Sequence, residues 1–380
     1  MTGVGSSLNL IRDARNVALL CVGLLIAILV IAHPVSSRAS QKPAPVTMMI
    51  VGDSITAGQA GDYTWRFWFY QQERAAGVDL SLAGPYSGLA TIKPDPPPAE
   101  LGSTLPSPRY DNHDYADPDF GQHCLCLWGY LIEQATAAMY HAVAQDKPDY
   151  LLVLLGSANL DFARESPDAS AARMQPLIAA ARAANPDIRV VLGKVPENQN
   201  DLDKPAVARQ DATFNADLAR DGQAWSTPQS PIVVIDTGLD PAGDLYDNSH
   251  PNSHGEVKIA AAFVDALAAD FSVGVPFPFP MPSPPLGPQQ APELTAKGSK
   301  GSATLTWTAS PGAWDYVVCA HNVTTGANFC PDTSHPTRYT AKLKPGTYLF
   351  AVWPEKGSRT VGDAHPARGK MSNTVTVTVR

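Results

Sequence analysis

Residues 46–58 read V-T-M-M-I-V-G-D-S-I-T-A-G. The apolar run Val46–Val51 is the length of a strand buried on both faces, and Gly52-Asp53-Ser54 breaks it at a turn that opens into a helix. In open α/β sheets the carboxyl end of a central strand is where ligands bind, so Ser54 stands where a nucleophile would stand. The alternative is structural: Asp53 or Ser54 caps the free N–H groups of the helix that follows.

The rest of the chain sets the context of that strand. Further aliphatic runs occur in V-D-L-S-L-A-G (78–84), Y-L-L-V-L-L-G (150–156), I-R-V-V-L-G-K-V (188–195) and P-I-V-V-I-D-T (231–237). Helical periodicity falls between them, from Thr64 to Gly77, Trp128 to Met139, Ala171 to Ala184 and Glu256 to Phe271. Alternation of this kind predicts an α/β fold, a three-layer α/β/α sandwich on a doubly wound parallel sheet, over residues 45–274. One long insertion, Thr91 to about Gln122, is rich in Pro, Asp and Tyr and is expected to wall the site.

Residues 275–290 contain V-P-F-P-F-P-M-P-S-P-P-L-G-P and read as a semi-rigid extended linker. Beyond it, residues 291–380 alternate with period two in A-T-L-T-W-T, Y-V-V-C-A, Y-L-F-A-V-W and N-T-V-T-V-T-V, which predicts a small all-β sandwich. No nucleophile and base pair up within that module, so its removal is expected to leave hydrolysis of a small substrate intact.

The chain has 380 residues and a net charge of −8. No block of Lys or Arg offers the basic face that nucleic acid requires, which excludes that class of partner. Arg12 and Arg15 precede an apolar run from Val17 to Ala32 and then a small, polar stretch; residues 1–39 have the layout of an export signal, with an uncleaved membrane anchor as the alternative. The expected location is secreted or cell-surface. Apart from Cys21 in the apolar run, four cysteines remain in a disulfide-permissive setting. Cys319 with Cys330 is the favoured pair. Cys124 and Cys126 either close a small ring or stay reduced, and a zinc site with His113 and His123 is the weaker reading, since no second ligand pair follows.

A base for Ser54 stands late in the first domain, in D-L-Y-D-N-S-H-P-N-S-H-G, where Asp247 precedes His250 by three residues ahead of the last helix. A turn there lets the carboxylate hold Nδ1 and leaves Nε2 to face a hydroxyl. His254 reads as a helix-start residue. G-D-S early and D-x-x-H late, in this order and in an α/β chain, resemble the SGNH or GDSL hydrolase family. That resemblance implies a flavodoxin-like sheet, Ser54 as nucleophile, His250 as base and Asp247 as its orienting carboxylate.

The resemblance also implies an oxyanion hole made by the N–H groups of Ser54 and of Gly84, in L-A-G-P-Y-S-G, with an asparagine side chain as third donor. Here the chain departs from the pattern. The family's G-x-N-D is replaced by G-S-A-N at 156–159, so that Ala158 fills the asparagine slot and Asn159 serves as donor only if the turn bulges by one residue. The phrases G-D-Y-T-W-R and H-C-L-C-L-W-G are similar to those of a secreted subgroup, in which Trp65 and Arg66 either shape a pocket or act as a core tryptophan and a surface arginine. L-K-P-G-T-Y-L-F-A-V resembles fibronectin type III, with Trp307 as its early core tryptophan and Tyr348 as its corner tyrosine.

The expected activity is therefore hydrolysis of a carboxylic ester, of small-molecule, lipid or glycan origin, through an acyl-enzyme without metal or organic cofactor. Carbohydrate O-deacetylation is the runner-up, with the sandwich contacting polysaccharide or the cell surface. A non-catalytic binding protein with a decayed site is the reading from another class, and G-S-A-N is its support.

Overall fold

The computed structural model describes residues 45–91, 109–196, 205–247, 249–330, 332–334, 337–357 and 367–380. The export or anchor segment and the centre of the insertion lie outside them. Among the described residues no helix is long and apolar enough to cross a membrane.

Five strands that the sequence marks form the core of one sheet: β1 (Val46–Gly52), β2 (Leu80–Ala83), β6 (Tyr150–Leu154), β7 (Arg189–Gly193) and β8 (Ile232–Ile235). Their order is β2-β1-β6-β7-β8, and β5 (Leu125–Cys126) adds to β1 beside Val51 and Gly52. Every pairing is parallel, so all carboxyl ends share one edge. From β1 the chain passes first to β2 on one side and later to β6 on the other. The sheet therefore switches direction at β1, where such folds form a crevice.

Both faces are covered, which explains why these strands are continuously apolar instead of alternating. On one face Met49, Val51, Leu151, Val153, Val190 and Leu192 pack against α3 (Ile132–Asp146), α5 (Pro167–Ala184) and α6 (Pro205–Trp225). On the other, Met48, Ile50, Leu82, Leu152 and Val191 pack against α2 (Trp65–Ala75) and α8 (Ser253–Phe271). The short α1 (Ser54–Ala57), α4 (Ser157–Asp161) and α7 (Pro241–Asp244) all start just past strand ends. Of the insertion, β3 (Leu89–Thr91) and β4 (Arg109–Asn112) pair antiparallel as a hairpin base.

The carboxyl-terminal part is a β-sandwich. One sheet holds β9 (Leu294–Ser299), β10 (Ser302–Trp307) and β14 (Arg338–Lys342); the other holds β11 (Asp315–Asn322), β12 (Asn328–Phe329), β13 (Asp332–Ser334), β15 (Gly346–Lys356), β16 (Ala367–Arg368) and β17 (Val375–Val379). Trp307 lies in its core, and the Tyr348 hydroxyl donates to the Lys344 carbonyl at 3.0 Å, the tie of a tyrosine corner. Cys319 is bonded to Cys330 and Cys124 to Cys126. Among the described residues no group of His, Cys, Asp and Glu is arranged to hold a metal ion.

The proline-rich segment has neither helix nor strand, yet it is seated rather than free. Phe277 packs against the α/β core and its N–H donates to Asp265 at 2.7 Å. Ser253 donates to the Pro285 carbonyl at 3.0 Å, Ser283 lies 3.1 Å from His254 Nε2, and Lys370 N–H donates to Pro288 at 2.9 Å. Residues Pro45–Arg380 accordingly form one compact unit.

Candidate active site

The turn after β1 divides its labour. Asp53 is the cap of α1, accepting the Ile55 N–H at 3.2 Å, and this frees Ser54 from that task. Gly52 lets the turn sit against β6: a Cβ there would lie 2.5 Å from the Leu154 carbonyl oxygen and closer still to Thr56. The second Asp53 oxygen accepts the Ala158 N–H at 3.3 Å, which ties the turn after β6 to the turn after β1. Burial pushes the Asp53 carboxyl up to about 6 against the backbone N–H groups that favour its charge.

Ser54 donates to His250 Nε2 at 2.8 Å, and His250 Nδ1–H donates to Asp247 at 2.8 Å. The other Asp247 oxygen accepts the backbone N–H groups of His250 at 2.7 Å and Ser249 at 2.9 Å. The D-x-x-H turn thus fixes both the rotamer and the tautomer of the imidazole. Burial works against charge on His250, but Asp247, with Asp53 and Asp161 behind it, outweighs burial and raises its pKa above the ordinary value. Burial likewise opposes charge on Asp247, and the attraction and hydrogen bond of His250 hold its carboxyl below the usual range. The chain brings Ser54, His250 and Asp247 into one hydrogen-bonded line across 196 residues.

Gly84 stands just past β2 on the same edge of the sheet. Its φ of +135° and the Cys124 backbone, 2.3 Å from where a Cβ would be, admit no side chain. Asn159 is the departure from expectation. The turn at 156–159 does not bulge; it opens α4 directly, and Asn159 is fully buried. Its carbonyl oxygen accepts the Ile132 N–H at 3.0 Å and its amide donates to Glu133 and Glu165 at 3.1 Å each. An amide so engaged is not available as a third oxyanion donor; it anchors the start of α3 instead.

Further side chains complete the surroundings. Arg66 is fully buried, not a surface residue. Its guanidinium donates to the carbonyls of Thr56, Ala57 and Gln122 and to the Tyr115 hydroxyl, and it lies near the rings of Tyr115 and Phe120. It therefore joins the end of α1 to the insertion. Trp65 donates to Thr56 at 3.3 Å and stacks on Phe263 at 4.7 Å, a core role. Trp128 and Tyr246 both lie nearly parallel to the His250 ring, at 4.4 and 5.8 Å. Their only sequence signal is adjacency, Trp128 to the C-x-C pair and Tyr246 to Asp247. His254 lies in the first turn of α8 and its N–H is capped by Asn252, as expected.

No protein-family model and no curated protein matches the chain. Among solved structures it is similar to an acetyl esterase mutant solved with an acetate ion, at 22% identity over 57% of this chain and 93% of that one with a TM-score of 0.45. It is also similar to a carbohydrate esterase family 3 structure from Talaromyces cellulolyticus, at 22% identity over 57% and 92% with a TM-score of 0.44. A fibronectin type III-like protein from Clostridium thermocellum matches at 21% identity over 26% of this chain and 96% of that one, with a TM-score of 0.20. At these values the likenesses carry no argument; strand order, register and side-chain geometry do.

Proposed function

We propose that the protein is an exported serine hydrolase of the SGNH/GDSL type that cleaves carboxylic esters through an acyl-enzyme. The observation that carries this is the Ser54–His250–Asp247 hydrogen-bonded line at the carboxyl edge of a parallel sheet. Ser54 attacks the ester carbonyl while His250 Nε2 takes its proton; Asp247 stabilises the imidazolium and keeps the imidazole aligned. The tetrahedral oxyanion is held by the N–H groups of Ser54 and Gly84. Collapse expels the alcohol, which receives the proton from His250, and a water activated by the same imidazole releases the acid.

With Asn159 committed elsewhere, two backbone donors serve the oxyanion. A missing donor typically lowers kcat by about 10²–10³, so a slow enzyme fits this site better than a decayed one. Export is supported by the Arg-then-apolar amino terminus and by the two disulfides, which suit an oxidising compartment. The test is a panel of short- and long-chain nitrophenyl esters, acetylated xylan and phospholipid given to the mature chain, with Ser54→Ala as control. Hydrolysis lost in the variant supports the reading and names the acyl class; equal rates in both proteins overturn it.

A further inference from the structure

Lys356 ends β15, in the sandwich, yet its ammonium is buried at the α/β unit. It pairs with Asp62, which is also buried, and lies 4.3 Å from the centroid of the Tyr246 ring. Both partners belong to the site's own loops. Asp62 organises the segment that follows the Ser54 turn: its side chain accepts the Gln59 N–H at 2.9 Å, its N–H donates to Gln59 at 3.0 Å, and its carbonyl accepts the Ala116 N–H at 2.9 Å. Tyr246 precedes Asp247, donates its N–H to the His250 carbonyl at 3.1 Å, and lies within 18° of parallel to the imidazole.

The backbone fits the same picture. Gly61, at φ +87°, meets the Pro311–Gly312 turn of the sandwich so closely that a Cβ would stand 2.5 Å from the Pro311 carbonyl. A surface adaptor on a flexible linker has no need of a buried ion pair, which is costly unless both charges are well partnered. We propose that Lys356 is a positioning residue of the hydrolase site, holding the loop after Ser54 through Asp62 and the His250 imidazole through Tyr246. The sandwich is then a working part of the enzyme. Burial pulls the Lys356 ammonium down to about 7, and Asp62 is the carboxylate paired with it.

This inference rests on the esterase reading, and the experiment separates the two. Full-length wild type, Ser54→Ala, Lys356→Met, Lys356→Gln, Tyr246→Leu and the Lys356→Met/Tyr246→Leu double variant are assayed on 4-nitrophenyl acetate, with thermal unfolding of each. Lys356→Gln keeps a hydrogen bond for Asp62 while removing the cation, and it decides alone should the methionine variant not fold. Loss of the cation is expected to lower kcat about tenfold with KM within about twofold, the signature of a misplaced catalytic group. The part of the effect that passes through Tyr246 is already lost in Tyr246→Leu, so the double variant is expected to lose less than the product of the two single losses. A folded Lys356→Gln with wild-type kcat, or losses that multiply in the double variant, would overturn the inference while an inactive Ser54→Ala leaves the esterase reading standing. An active Ser54→Ala removes the reading itself.

Discussion

The indole of Trp128 lies against the imidazole of His250 with 4.4 Å between ring centroids and 20° between planes. A ring so covered is withdrawn from water, which alone would disfavour its protonated form. The Asp247 carboxylate reverses that tendency, and His250 takes up a proton more readily than an ordinary histidine. His250 must be neutral to accept the Ser54 proton, so kcat/KM is expected to rise with pH through a midpoint above 6.5, the ordinary value. Asp247→Asn should move that limb to lower pH and cut kcat by about 10³–10⁴. A pH–rate profile of both proteins on 4-nitrophenyl acetate checks this, and a wild-type midpoint below the ordinary histidine value contradicts it.

Asn159→Ala is expected to act on stability rather than on rate. Its side chain serves the Ile132 N–H and two carboxylates, and deleting it strands a buried donor, at a cost of about 1–3 kcal/mol. Thermal unfolding should show the loss while kcat stays within about twofold of wild type. A hundredfold fall in kcat in a stable variant would put the amide back in the oxyanion hole.

Arg66→Lys removes a planar fork whose donors meet three carbonyls and a hydroxyl in a buried site. An ammonium cannot span those acceptors, so urea unfolding should report a loss of about 3 kcal/mol, with kcat lowered because α1 loses the group that satisfies its end. Unchanged stability would mean that water replaces the guanidinium there.

Glu73 is fully buried and neither carboxylate oxygen has a hydrogen-bond partner among the described residues. Burial lifts its pKa from 4.5 to about 7. Because the folded value is raised, its contribution is fully favourable below the unfolded value and is lost as pH climbs through 7. Glu73→Gln should therefore flatten the fall in melting temperature across that window and be the more stable protein above it, by about 1–3 kcal/mol. Asp53 and Glu256, raised to about 6 and about 8, remain in the variant, so some slope persists. An unaltered slope would show that Glu73 is hydrated in solution.

The sheet was legible because each central strand is an unbroken aliphatic run, and burial on both faces leaves such runs no other reading. The α6 helix was not, since it buries only a thin stripe, Phe214 and Leu218 among mostly small and charged neighbours. At the site, Ser54, Asp247 and His250 were readable because each stands at a turn whose local chemistry announces it. Asn159 was misread for a reason of register. One residue along a helical turn rotates a side chain by about 100°, enough to send its amide to Glu133 and Glu165 instead of the serine. The burial of Arg66 and the pairings of Trp128 and Lys356 were not readable because partners such as Gln122, His250 and Asp62 lie far away in the chain, and Lys356→Gln puts the expectation that the sandwich is dispensable to the test.

The seated proline segment sets a constraint on length. A free tether accepts insertions cheaply, since doubling a flexible loop costs only about 0.6 kcal/mol. This one is pinned at Phe277, Ser283, Pro285 and Pro288, to α8 near one end and to the strand-connecting residues of the sandwich at the other. Extra residues between those pins would shift the sandwich along the α/β unit and draw the end of β15 away from the loop at Asp62. Exchange of the carboxyl-terminal module for a different one is tolerable only where the graft conserves this spacing, whatever the new module binds.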